Sequence, residues 1–181
     1  TRSKINKKIL SVSIIVVLLA AGIIGGAGAW SSSYLKPIHH YYSAIENIDI
    51  SEMNKAYGET YSSIRKEIFG ENSKFSYDDT LYSLIKNEHN SLEERYGRNI
   101  KIDYKLKQKK EISKSDLKYI KDGWNDYGNQ QLNISEGYRI KAEITYKGYS
   151  YKKGIKKEKE ISVLKINGKW AMITDNNNSL I

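Results

Sequence analysis

The 181-residue chain contains no cysteine and a single proline, Pro37. Without Cys there is no disulfide framework, no thiolate metal site and no acceptor for a bacterial lipoprotein anchor. Arginine is heavily outnumbered by lysine. That scarcity argues against nucleic acid as a partner, because such sites interleave Arg with aromatic residues. Only three His occur, and they show no metal-ligand spacing. No acidic residue precedes Glu46. Internal repeats and low-complexity linkers are absent as well. The abundance of Lys, Ile, Asn and Tyr, with little Ala, follows AT-rich codons and points to a low-GC Gram-positive source.

What the chain does have is one long hydrophobic run. Ile9 to Ala29 carries no charge, no Pro and no large polar side chain. As a helix with 1.5 Å rise per residue, the run spans roughly 30 Å, the thickness of a bilayer's hydrocarbon core. Arg2, Lys4, Lys7 and Lys8 precede it, so the N-terminus is expected in the cytoplasm and the remainder outside. Trp30 and Tyr34 suit the outer interface, where amphipathic rings settle. A cleaved signal peptide is the competing reading, with Ala27-Gly28-Ala29 as its processing site. The run exceeds a signal peptide's usual apolar stretch of about 7–15 residues, which favours a retained anchor. The expected organisation is a cytoplasmic basic tail (1–8), a transmembrane helix (9–30), a short hinge (31–33), an extracytoplasmic α+β domain (34–174) and a flexible tail (175–181). The chain opens at Thr1 and not at Met, which leaves room for an upstream portion.

Formal net charge is +9, from 30 basic and 21 acidic residues. Part of this excess belongs to the N-terminal tail, and the rest is a modest surplus of Lys over the outer domain. Anionic lipid headgroups or wall polymers would attract such a surface weakly.

The outer domain begins helically. Leu35, Ile38, Tyr41/Tyr42, Ile45 and Ile48 repeat at three- and four-residue spacing, with Pro37 in the first turn, where a missing N–H costs nothing. Asp49 or Ser51 caps a second helix carrying Met53, Ala56 and Tyr57, with a continuation through Ile64, Ile68 and Phe69. Ser76 caps a third, whose stripe of Leu81, Leu84, Ile85, Leu92 and Tyr96 ends at Gly97. The period then changes to two. Ile100, Ile102, Tyr104 and Leu106 alternate with charged residues, as do Tyr138, Ile140, Ala142, Ile144 and Tyr146 with theirs. A brief helix from Ser113 to about Gly123 separates these strands. A turn over Lys147–Gly154 leads to a third strand, Lys157–Ile166, which Asn167-Gly168 joins to Lys169–Ile173. Helices followed by antiparallel strands predict an α+β layer with one core. Trp170 is expected to be buried where the sheet meets the third helix.

This order resembles the nuclear-transport-factor-2-like (cystatin-like) superfamily, and more closely its membrane-anchored members from clostridia and relatives. The residues that carry the likeness are Ile38-His39-His40-Tyr41-Tyr42-Ser43-Ala44-Ile45-Glu46-Asn47-Ile48-Asp49, similar to that family's opening helix and acidic turn. The second match is Ile161-Ser162-Val163-Leu164-Lys165-Ile166-Asn167-Gly168-Lys169-Trp170, similar to its closing hairpin. The resemblance implies helices over a curved, mainly antiparallel sheet, a cone with a pocket between them. It implies no chemistry, because the superfamily includes isomerases, dehydratases and inert binding or assembly domains.

Candidate sites are few. His39 and His40 are adjacent on a helix, about 100° apart, which is poor geometry for joint chelation. Asp103 is out of phase with Ile102 and Tyr104 and should face water, and Asp49 reads as a cap. No catalytic residue, metal site or cofactor is expected. Fifteen Tyr and three Trp are the richest feature, and most of them are accounted for by core packing. The sharper reading is an amphipathic pocket reached by Tyr42 and Tyr104, for a small ligand, peptide or glycan. The run containing Lys152, Lys153, Lys156 and Lys157 reads as a solvated hairpin tip that discourages edge pairing, or as a contact for anionic headgroups or wall polyanions. The expected function is a non-catalytic, membrane-anchored binding or assembly module of the cell envelope. Its partners are the bilayer and an envelope protein, small ligand or anionic polymer. A scaffold of a conjugation or type IV secretion apparatus is the alternative, and an isomerase- or dehydratase-type pocket enzyme a weaker one.

Overall fold

The computed structural model describes residues 33–70, 76–127 and 131–173. The basic tail, the apolar segment 9–29 and the tail 175–181 lie outside the described residues, as do the side chains of Ile64, Ile68 and Phe69. Among the described residues no helix is long and apolar enough to cross a membrane.

A 3-10 turn, Ser33–Leu35, leads into α1 (Lys36–Asn47), which carries Pro37 in its first turn and buries Ile38, Tyr42, Ala44 and Ile45. Ile48 closes α1 in the left-handed region, with φ 52°. The chain thereby reverses within two residues, and Asp49 caps α2 (Ile50–Gly70) by accepting the Glu52 N–H at 3.2 Å. Gly58, with φ 70° and ψ 156°, breaks α2 into two stretches beside β4. Helix α3 (Tyr77–Tyr96) is capped by the Ser76 hydroxyl, which accepts the Asp79 N–H at 3.1 Å, and it ends at Gly97.

Four strands follow, interrupted once by a helix: β1 (Lys101–Glu111), α4 (Lys114–Tyr127), β2 (Ile134–Gly148), β3 (Tyr151–Ile166) and β4 (Lys169–Ile173). They form one antiparallel sheet in the order β1-β2-β3-β4. Asn167 and Gly168 both have positive φ, 49° and 80°, as the tight primed hairpin turn between β3 and β4 requires.

The sheet buries one face over β2 and the neighbouring parts of the other strands, and the opposite face only at one end. Helices α1–α3 cover Ile102, Ile140, Ala142, Ile144, Tyr146, Ile161, Val163 and Met172. Helix α4 covers the opposite face near β4, packing Leu117, Ile120 and Trp124 against Leu164, Ile166, Ala171 and Ile173. Residues 161–164 of β3 are therefore buried without alternation, because both of their faces are covered there.

Three expectations need correction. The segment Lys147–Gly154 is not one long turn. The turn is Tyr149-Ser150, and β3 starts at Tyr151. Residues 151–160 are almost entirely exposed, so no alternation marks them; pairing with β2 sets them as strand. Helix α4 runs past Gly123 to Tyr127, since Gly123 has open space around it and helical geometry. Trp170 is half-buried and does not meet the third helix: α1 and α2 lie over β4, while α3 packs on β2.

The end of α3 is fastened to the β2–β3 turn. Ser150 N–H donates to the Tyr96 carbonyl at 3.1 Å, and Tyr149 N–H to that of Arg98 at 2.9 Å. This approach needs glycine at 148, where a Cβ would lie 2.4 Å from the Tyr96 carbonyl oxygen and 2.6 Å from that of Gly97. Both neighbours are backbone and cannot step aside. Replacing Gly148 with Ala is expected to cost about 1–3 kcal/mol, the usual penalty of overpacking. Gly123→Ala, in open space within α4, should instead stabilise by up to about 1 kcal/mol through helix propensity. Urea denaturation midpoints of the two variants check both signs.

Candidate functional site

A cleft of about 390 Å³ lies between the helices and the sheet. Its walls are Tyr41, Tyr42 and Ile45 of α1, Met53 and Tyr57 of α2, and Leu81, Leu84, Ile85 and Glu88 of α3. Its floor takes in Lys159, Glu160 and Ile161 of β3 with Met172 and Ile173 of β4. The last described pair of β4 is Ile173 with Ser162, and both strands border the cleft at this point.

The sequence suggests that Tyr42 and Tyr104 both reach one pocket, and the structure places their rings side by side. Tyr42 is 3% exposed, and its ring centre lies 5.7 Å from that of Tyr104. Only Tyr42 lines the cleft, while Tyr104 supports it from β1. Burial pushes both phenols well above their ordinary value, and the neighbouring Tyr146 and Tyr41 add to the effect on Tyr42. Both therefore serve as neutral, amphipathic surfaces.

The carboxylates bordering the cleft, Glu88 and Glu160, are exposed. Other acidic groups are occupied by structure. Glu46 accepts the backbone N–H of Ile102 and lies 3.6 Å from Lys101, tying α1 to β1. Asp103 is on the wet face of the sheet, paired with Lys147. Glu52 accepts from Lys55 at 2.6 Å and is hydrogen-bonded to His40 at 2.7 Å; these bonds hold its carboxyl below the usual range. His89 Nδ1 lies 2.9 Å from the Ile45 carbonyl oxygen, linking α3 to α1. His39 is exposed, and its ring centre lies 5.9 Å from that of His40. Among the described residues no group of three or more His, Cys, Asp or Glu converges to hold a metal.

The basic run does not act as one patch. Lys152 and Lys153 sit in a bulge of β3, where the register shifts between Tyr146 and Gly148, and Lys152 lies 5.5 Å from the Tyr149 ring centre. Lys156 is opposite Thr145 and Lys157 opposite Ile144, so strand alternation sends them to opposite faces. Lys156 is further engaged with Glu143 at 3.0 Å, which also binds Lys107 at 3.2 Å.

One feature was missed in the sequence. Tyr34, Tyr138 and Trp170 form a cluster, with Tyr138 and Trp170 stacked at 5.3 Å and Tyr34 at 5.2 and 6.0 Å from them. Its signal was the shared phase of Tyr138 and Trp170. Tyr34, read alone, looked like a residue of the membrane interface only. A second hollow of about 570 Å³, bordered by Ile50, Asn54, Gly58 and Trp170, lies beside this cluster.

No protein-family model, curated protein or solved structure matches this chain. Its function is therefore read from the geometry of the cleft and the pattern of the sequence.

The phenols give a direct test of the helix–sheet packing. A group whose folded pKa is raised contributes stability that is fully present below its unfolded value, about 10 for Tyr, and lost as pH rises above it. Thermal melts between pH 8 and 11 should therefore show a steep alkaline loss in the wild-type chain. Tyr42→Phe with Tyr104→Phe should flatten that loss; an unchanged slope would mean that these two rings are not the buried ones.

Proposed function

We propose that the chain is a single-pass, membrane-anchored, non-catalytic binding or assembly module of the cell envelope. Its N-terminus is cytoplasmic and its outer domain is of the nuclear-transport-factor-2-like kind, a helix-lined cone over a curved sheet. The cleft is the observation that carries this reading. Its walls are aliphatic and tyrosyl, and the charged residues that border it, Glu88, Lys159 and Glu160, are exposed. Such a surface recognises shape and apolar area with a few orienting polar groups. An envelope protein, a small ligand or a segment of an anionic wall polymer are the occupants it suits.

Enzymes of isomerase or dehydratase type hold a carboxylate in a dry pocket, with a donor aimed at the developing oxyanion. The acids nearest this cleft lack that setting, which favours binding over catalysis. The anchor rests on the length and flanking charge of residues 9–29.

Alkaline carbonate is expected to leave the full-length chain in the membrane pellet, and N-terminal sequencing should still read the basic tail. Release of a form beginning at Trp30 would show that the segment is a signal peptide. For the cleft, a photoreactive phenylalanine analogue at Glu88 should form discrete adducts in intact cells, and Leu84→Trp, which fills the mouth, should abolish them. The same probe at Tyr119, 73% exposed on α4, serves as background. Equal labelling at both positions would reject the cleft as the binding site.

A further inference from the structure

The chain joins the outer domain at one end of the sheet, where β1 and β3 finish and β2 and β4 begin. Tyr34 is the first ring past the expected hinge, and at this end it meets Tyr138 and Trp170. All three rings are half-buried, so part of each remains open to the surroundings. Lys109 places its ammonium 4.4 Å from the Tyr138 ring centre and 4.8 Å from that of Tyr34. Lys165 lies 5.9 Å from Trp170, with its ammonium paired to Glu136 at 2.7 Å. The cluster is thus assembled from the chain's point of attachment and all four strands.

Its chemistry is that of a bilayer interface. Tyr and Trp settle at headgroup level because one part of the ring is apolar and the other polar, and lysines there favour anionic phosphate. Its distance from the bilayer is also limited. Four residues separate Ala29, the end of the apolar run, from Tyr34. Fully extended, the five residue steps from Ala29 to Tyr34 reach roughly 18 Å. The basic run at Lys152 and Lys153 lies beside the Tyr149-Ser150 turn, at the other end of β2. Ten residue steps along β2, roughly 33 Å, separate Gly148 from Tyr138. The headgroup contact that the sequence would assign to those lysines therefore falls on a surface far from the anchor.

From this placement we infer that Tyr34, Tyr138, Trp170 and Lys109 seat the outer domain in the headgroup layer of the bilayer that holds the anchor. The domain stands on the membrane by this end of the sheet, with the β2–β3 turn pointing away, and does not swing freely on its hinge. The inference rests on the anchor reading, and its test separates the two.

The absence of native cysteine allows single nitroxide labels on the full-length chain reconstituted in phosphatidylcholine–phosphatidylglycerol vesicles. Three variants are compared: Glu111→Cys, an exposed site paired with Tyr138; Lys153→Cys at the far end; and Leu19→Cys in the apolar run. Collision with membrane-soluble oxygen is measured against collision with a water-soluble nickel chelate. The expected result is oxygen-dominated relaxation at Leu19→Cys, a shift towards oxygen at Glu111→Cys, and nickel-dominated relaxation at Lys153→Cys. Lys109→Glu in the Glu111→Cys background should reverse the shift. A nickel-dominated signal at Glu111→Cys with Leu19→Cys in lipid would overturn the seating while the anchor stands. A nickel-dominated signal at Leu19→Cys would overturn both. A shift at Glu111→Cys that survives Lys109→Glu would overturn the assignment to this cluster.

Discussion

Ile140, Ala142 and Ile144, alternate residues of β2, are wholly buried beneath the helices, and the rest of the domain takes its position from that stripe. Burying side chains of this size contributes on the order of 2 kcal/mol each for the larger ones, more than any surface ion pair in the molecule supplies. Because strand alternation is fixed, committing these residues to one face commits Arg139, Lys141, Glu143 and Thr145 to the other. The wet face then arranges its charges across strands, as in the Lys107–Glu143–Lys156 group. The second core under α4 forms only where β3 and β4 extend past this arrangement.

The cleft lies where the three helices meet the sheet at Ile161 of β3 and at Met172 and Ile173 of β4. Tyr41, Tyr42 and Tyr57 fill part of that space with rings, whose hydroxyls sit less easily in a fully closed core than aliphatic side chains do.

Much of this was legible in the sequence wherever one face of an element is buried and the other wet. The α1 and α3 stripes, the Ser76 cap, the alternation of β2 and the Asn167-Gly168 turn all have that character. Legibility failed where burial is symmetric or absent. The first half of β3 is exposed on both faces, so its lysines looked like a turn, although β2 pairs with it almost throughout. Contacts between distant segments left no periodic trace either. The His40–Glu52 bond, the Glu46 link to Ile102 and the docking of Tyr34 on Trp170 join positions that only the tertiary fold brings together. The meeting of Tyr42 with Tyr104 was accessible because both lie in the inward phase of adjoining elements.

The break at Gly58 carries a consequence for how this molecule behaves among its copies. Gly58 brings α2 against β4, where a Cβ would lie 3.7 Å from the Trp170 carbonyl oxygen, and beyond the break Tyr61 stacks at 5.4 Å on Trp124 of α4. Helix α2 thus bridges from one core to the other past β4 and shields that side of the sheet sterically. Among the described residues, no helix shields the β1 edge or the first half of β3 in this way, and exposed lysines such as Lys105, Lys110, Lys153 and Lys157 supply mutual repulsion there. Steric shielding is indifferent to ionic strength, whereas repulsion between exposed charges fades once the Debye length falls to a few ångströms, as it does near 1 M salt. The molecule is therefore protected against self-association permanently on one side and conditionally on the other, and concentrated salt removes only the conditional half.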